Sequence, residues 1–217
     1  MSPVLPVGEE QCESSRTSSS MVSGQKDKHL VKDLPWRDKT ISLVGNASSL
    51  WEGHFGPQID EAECVIRINQ GAFIDLYPES TGVRTDSLLM SLNGNSLEKA
   101  WMYSRARCRA KTVVAMTPKN RRFLGIDLAS LIPVYPAQWH AELHELMGAR
   151  PSTGAMAVDL LRRTVKDASQ ISIFGFDFWG SPTTYTGKIK AAPHDPEAEE
   201  KFVRGAVNKG RVFQVGR

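Results

Sequence analysis

His194 stands directly before an Asp-Pro pair in "AAPHDPEAEEKF" (191–202), and Glu197 and Glu199 follow it. Asp195 has the side chain of an N-cap, Pro196 suits a first helical position, and two early carboxylates complement the positive end of a helix dipole. The spacing therefore predicts a helix from 196 with an imidazole at its mouth. A neutral imidazole there could take a proton, as a general base must. On spacing alone a solvated loop histidine is the simpler reading, and the general base is the alternative to it.

A second helix start is written in "RPSTGAMAVDLL" (150–161), where Ser152, Thr153 and Gly154 precede an amphipathic run. Unpaired amides, the helix dipole and one or two hydroxyls make an anion site suited to a phosphate or carboxylate. Ser152 or Thr153 as a plain N-cap is slightly the simpler reading, and the two roles are compatible. The third candidate is "LVGNASSL" (43–50), a strand that runs into small residues. Asn46, Ser48 and Ser49 could hydrogen-bond a ribose or phosphate that approaches the backbone, although an ordinary strand-to-helix turn is the default. A dinucleotide site fits worse: GxGxxG is absent, and the next strand ends in Arg67-Ile68-Asn69 where that motif wants an acid.

Two further clusters read first as structure. His140 and His144 lie one helical turn apart in "WHAELHEL" and could bind zinc, but the order is neither HExxH nor HxxEH and no third ligand is evident. From Lys99 to Arg122 there are eight basic residues and no acidic one. A solvated face is the default, with an anionic acceptor or acidic lipid as alternatives. Cys12, Cys64 and Cys108 are odd in number and lack CxxC spacing, which suggests neither a disulfide framework nor a zinc ribbon.

The elements that must position these groups alternate. At 217 residues the chain suits one α/β domain, and its net charge of +3 does not call for nucleic acid. Residues 1–38, rich in Ser, Glu, Lys and Pro, read as a flexible tail before a domain at 39–217. Strand-like apolar runs follow at "KTISLVGN", 63–69, 86–92, 111–117, 131–135, 171–176 and 211–215. Helical lengths lie between most of them, including 96–106, 119–131, 138–147 and 154–168. Such alternation predicts a mostly parallel sheet covered on both faces, with ligands at the loops beyond the strand C-termini.

Taken in order, the three candidates resemble the motif series of glycosyltransferase family 29, the sialyltransferases. The long motif is resembled by "ISLVGNASSLWEGHFGPQIDEAECVIRIN" and the "GVRTD" after it, and the short motif by "PSTGAMAVDLLRRTVKDASQISIFGFDFW". The very short His-x-x-x-x-Glu motif is matched by His194 through Glu199, and "NKGRVFQVGR" is similar to a family C-terminus. The resemblance implies a single-domain, Rossmann-like variant of the GT-A glycosyltransferase fold. It implies inverting transfer from CMP-sialic acid to a glycan or glycolipid, without a metal or other cofactor. Asn46, Ser49 and Asn69 would hold cytidine monophosphate. Ser152, Thr153 and Gly154 would hold its phosphate or the donor carboxylate, and Gly175 and Phe176 would meet the cytosine or ribose. His194 becomes the base. CMP-Kdo is the alternative donor, and a nucleotide-binding homologue without catalysis is a further alternative.

The departures from the family pattern are specific. Thr40 and Thr164 stand near where luminal members carry a disulfide-forming cysteine pair, and "TTYTG" (183–187) puts Thr184 where a histidine precedes Tyr185. If the family's His-Tyr block assists phosphate departure, this protein would use Arg150 or Lys188 in its place or be slow. The family's membrane anchor and stem are not evident in the sequence, which suggests a cytoplasmic enzyme, peripheral to an acidic membrane surface if the basic cluster docks there. The alternative is the excised luminal domain of a Golgi enzyme.

Overall fold

A computed structural model describes residues 33–74, 76–117, 122, 123, 125–189, 193–207 and 211–213. Its strands are β1 Ile41–Val44, β2 Cys64–Ile68, β3 Ser87–Met90, β4 Thr112–Ala115, β5 Arg122–Phe123, β6 Ile126–Asp127, β7 Ile171–Phe174 and β8 Arg211–Phe213. The helices are α1 Gly56–Glu61, α2 Ser96–Arg109, α3 Ala137–Met147, α4 Thr153–Thr164 and α5 Pro196–Ala206. Six strands form one sheet in the order β4-β3-β2-β1-β7-β8, and every pairing is parallel. This is an α/β sheet, as the alternating pattern predicts.

A sheet buried on both faces needs apolar residues at successive positions rather than alternate ones, and the strands supply them. Ile41, Leu43, Ile66, Leu89, Val114 and Ile173 share a core with Leu143 of α3, Val158 and Leu161 of α4 and Val203 of α5. On the opposite face Leu88, Met90, Val113 and Ala115 pack with Ala106 of α2. Val44, Val65 and Phe174 pack there with Leu50 and with Ile59 of α1. The chain winds from β1 outward to β4, then returns to the other side of β1 for β7. Between β1 and β7 the direction of winding reverses, so loops diverge from their C-terminal ends and leave a crevice.

Four expectations need correction. The flexible tail does not extend to residue 38: Leu34 is buried, and Trp36, 0% exposed, donates its indole N–H to Thr164 Oγ1 at 3.0 Å. Residues 1–32 lie outside the described residues, as does Cys12. Among the described residues of 119–131 there is no α-helix. β5 and β6 pair antiparallel around Gly125, whose φ is +80°, and Asp127 then caps a single 3₁₀ turn at Leu128–Ser130. Segment 131–135 pairs with β4 only through an isolated bridge between Ala115 and Val134, because Pro133 has no amide hydrogen to extend the ladder. The basic cluster is not uniformly solvated. Lys99 is 3% exposed and donates from Nζ to the Arg122 carbonyl, and Arg105 lies 4.6 Å over both Phe73 and Trp101. Lys119, Arg121 and residues 214–217 are outside the described residues.

Among the described residues no helix is long and apolar enough to cross a membrane. Cys64 and Cys108 are free thiols. Thr40 and Thr164 hydrogen-bond elsewhere: Thr40 Oγ1 donates to Glu63, and Thr164 Oγ1 accepts from Trp36 and donates to the Leu160 carbonyl.

Candidate active site

The strand-order reversal opens into a cleft of about 720 Å³, a size that suits a nucleotide sugar. Its floor is the pair of loops after β1 and β7. Gly45 donates to the Phe174 carbonyl at 2.8 Å, and Ala47 to the Gly175 carbonyl at 3.2 Å. A Cβ at Gly45 would lie 2.3 Å from the Gly175 carbonyl oxygen, so only glycine lets the two loops approach this closely.

One wall is the start of α4. Ser152 is its N-cap and accepts from the Ala155 amide, and Ser152, Thr153 and Gly154 at this helix start line the cleft. Thr153 Oγ1 pairs with Ser91 Oγ at 2.6 Å, and Ser91 donates its amide to Asn69 Oδ1 at 2.9 Å. Asn69, held at φ +50°, also hydrogen-bonds Tyr185; burial pushes that phenol's pKa up and the bond from Asn69 partly offsets it. Gly154 abuts Phe176, since a Cβ there would come within 3.0 Å of the Phe176 ring.

The other wall is the start of α5. Asp195 caps it by accepting from Glu197 and Ala198 amides, as its sequence position predicts. His194 therefore sits just outside the helix. Its Nδ1 is 3.0 Å from the Arg150 carbonyl oxygen, and its ring stacks on Trp179 with centroids 5.8 Å apart. A carbonyl can only accept, so Nδ1 carries the proton, and in the neutral ring Nε2 is left with its lone pair. Glu199, one turn into α5, accepts from Ser152 Oγ at 2.5 Å. The two helix beginnings thus converge on one cleft.

Asn46, Asn69, Ser152, Thr153, Gly154, Gly175, Phe176, Tyr185, His194 and Glu199 all line that cleft. Ser48, Ser49 and Arg150 do not. Ser48 donates its amide to the Pro182 carbonyl, and Ser49 Oγ donates to Asp177 Oδ2 at 2.9 Å. Arg150 contributes its carbonyl to His194 rather than its guanidinium to the cleft, whereas Lys188 does reach the lining. Thr184, at the expected histidine position, donates its amide to Asn46 and has a buried Oγ1 without a partner. Among the described residues, His140 and His144 belong to no cluster of three metal-ligating side chains. Arg67, whose pKa burial pushes down to about 10, binds the 81–85 loop through the Thr81 and Arg84 carbonyls and the Thr85 hydroxyl. Sequence reasoning assigns no role to Ser91, Asp177 or Trp179; the available signals are their position just after β3 and β7, where parallel sheets place ligands, and, for Asp177 and Trp179, the end of the short-motif stretch.

A model of glycosyltransferase family 29 (sialyltransferase) matches residues 8–132. The chain belongs to that family. This sialyltransferase-family chain also shares its fold with several solved enzymes. A mammalian sialyltransferase in complex with Gal-beta-1-3GalNAc-ortho-nitrophenol is 16% identical, with 94% of this chain and 82% of that one covered and a TM-score of 0.53. The alpha-2,3-sialyltransferase Cst-I from Campylobacter jejuni is 14% identical, with coverages of 83% and 76% and a TM-score of 0.58. CstII from the same organism, in complex with cytidine-5'-monophosphate, is 16% identical, with coverages of 81% and 80% and a TM-score of 0.55. No curated protein sequence matches the chain. The family match contains the long motif; the short and very short motifs lie beyond it, and their hydrogen-bonded convergence is a separate observation.

Proposed function

We propose that this sialyltransferase-family enzyme moves sialic acid from CMP-sialic acid to a hydroxyl of a glycan acceptor, with inversion at the anomeric carbon and His194 as general base. The observation that carries the reading is the bond from His194 Nδ1–H to the Arg150 carbonyl, since it leaves Nε2 free to accept a proton. In the step, the acceptor O–H proton passes to Nε2 and the acceptor oxygen bonds to the anomeric carbon from one face. The bond to the phosphate oxygen breaks on the other face, and CMP departs with the electron pair.

The departing phosphate gathers negative charge, and the open start of α4 offers amides and a dipole for it. Asn46, Asn69 and Tyr185 face the same cleft for the nucleoside, with Gly175 and Phe176 beneath it. Lys188 supplies a cation in place of the family histidine that Thr184 replaces. A CMP-sugar carries a single phosphodiester charge, and a helix terminus with one lysine can meet that charge without a divalent ion. The family assignment leaves the donor to be tested: purified protein is assayed for transfer from CMP-sialic acid and from CMP-Kdo, with and without chelator, beside His194→Ala. Transfer from CMP-sialic acid that survives chelation and is lost in the variant is the expected result. Turnover of CMP-Kdo alone would change the donor, and a fully active variant would remove the base.

A further inference from the structure

We propose that Trp179 is a positioning residue for the His194 imidazole, and that Ser49 acts on the reaction through it by clamping the turn that carries the indole. The proposal rests on His194 being the base. One hydrogen bond, from Nδ1 to the Arg150 carbonyl, selects which edge of the ring faces the cleft but leaves the ring free to swing about that bond. The indole removes this freedom: the two rings lie 17° from parallel with centroids 5.8 Å apart, the range of an offset stack.

The backbone that presents the indole is unusual. Phe178 and Trp179 have φ of 52° and 61°, so two successive bulky L-residues occupy the left-handed region. Such a conformation costs free energy and persists only where the surroundings over-determine it. Gly180 donates to the Asp177 carbonyl at 2.9 Å and closes the turn. Ser49 then holds both of its ends, its Oγ donating to Asp177 Oδ2 at 2.9 Å and its amide to Ser181 Oγ at 3.1 Å. The Phe178 ring packs against the main core with the Arg204 guanidinium 5.9 Å over it. Ser49 is 8% exposed, lies outside the cleft lining, and its hydroxyl is already engaged. The residue that looks like a nucleotide ligand in sequence is therefore part of the support for the imidazole.

The test compares Trp179→Phe, Trp179→Leu, Ser49→Ala, the Ser49→Ala/Trp179→Leu double variant and His194→Ala. Transfer kinetics, CMP affinity by calorimetry and the NMR resonances of the His194 ring are measured on each. Trp179→Leu should lower kcat by about ten- to a hundredfold, the scale of a misplaced catalytic group, with CMP affinity unchanged. Trp179→Phe, which keeps a ring, should recover most of the loss. The double variant should be no slower than Trp179→Leu alone, as expected of two residues acting through one path. The His194 ring protons should lie upfield in the wild type and move downfield in Trp179→Leu. Normal kcat in Trp179→Leu beside an inactive His194→Ala would overturn this inference and spare the base; a fully active His194→Ala would overturn both. Additive losses in the double variant would detach Ser49 from the path.

Discussion

Ser152 and Glu199 share one short hydrogen bond, 2.5 Å from Oγ to Oε1, and through it the start of α4 is tied to the first turn of α5. The same hydroxyl accepts from the Ala155 amide, so it caps one helix while it anchors the other. Glu199 is 4% exposed, its Oε2 has no partner, and burial pushes its pKa up to about 7. A carboxyl at the mouth of an anion site is useful only if it can remain uncharged. An ionised one would repel a phosphate bound at the start of α4 as proposed.

The raised value makes stability depend on pH. An unfolded glutamate ionises near its ordinary 4.5 while the folded one holds its proton to about 7. Between those values the folded chain binds more protons, so stability falls as pH rises through that window and levels off above it. The full loss is about 3 kcal/mol for a shift of this size. Glu199→Gln has no proton to lose. Urea denaturation from pH 5 to 8 should show the variant gaining on the wild type by roughly that amount. Parallel stability curves would mean that Glu199 ionises normally.

Arg150 and Lys188 should behave in opposite ways. Arg150→Ala keeps the backbone carbonyl that holds His194, so kcat should stay near the wild-type value. Lys188→Met removes the only part of that side chain able to stabilise a leaving phosphate. Loss of a charge-stabilising donor typically costs about a hundredfold or more in kcat. Steady-state kinetics on the two variants decide between them, and a reversal of the order would move the phosphate toward Arg150.

Much of this arrangement is legible in sequence where the signal is local. Asp195 and Ser152 cap the helices their positions predict, and the apolar runs that became β1, β2, β3, β4 and β7 needed only to be buried on two faces. What stays hidden depends on distant partners. Ser49 looks free to bind a ligand until Asp177 and Ser181, 128 and 132 residues away, take its hydroxyl and amide. Nothing local marks Trp179 as left-handed, because only glycine and asparagine advertise that conformation. The helix expected at 119–131 gave way because Gly125 turns the chain between two strands and Asp127 then caps a new turn.

Donor affinity should respond to the α4 cradle rather than to the base. Ser152→Ala removes both the cap and the Glu199 partner and should weaken CMP binding by about fivefold, the roughly 1 kcal/mol of one lost hydrogen bond. Gly154→Val adds bulk where a Cβ is already 3.0 Å from Phe176 and 3.4 Å from Glu199, and should weaken CMP by more than about tenfold. His194→Ala should leave that affinity nearly intact. Calorimetry with CMP alone separates these outcomes, and unchanged binding in both cradle variants would place the phosphate elsewhere.

Trp36 and Thr164 offer a test of what joins the lead-in of β1 to the end of α4 in a chain with threonines near the family's cysteine positions. The indole is fully buried, and its N–H has Thr164 Oγ1 as acceptor at 3.0 Å. Thr164→Val is nearly isosteric but cannot accept, so the buried donor loses its partner at a cost of about 1–3 kcal/mol. Trp36→Phe removes the donor as well as volume, and in the Thr164→Val background it should cost less than in the wild type, because no N–H is left unpaired. Chemical denaturation of the two single variants and the double variant measures this coupling. Strictly additive losses would show that the bond contributes nothing, and that packing of Trp36 alone holds the segment in place.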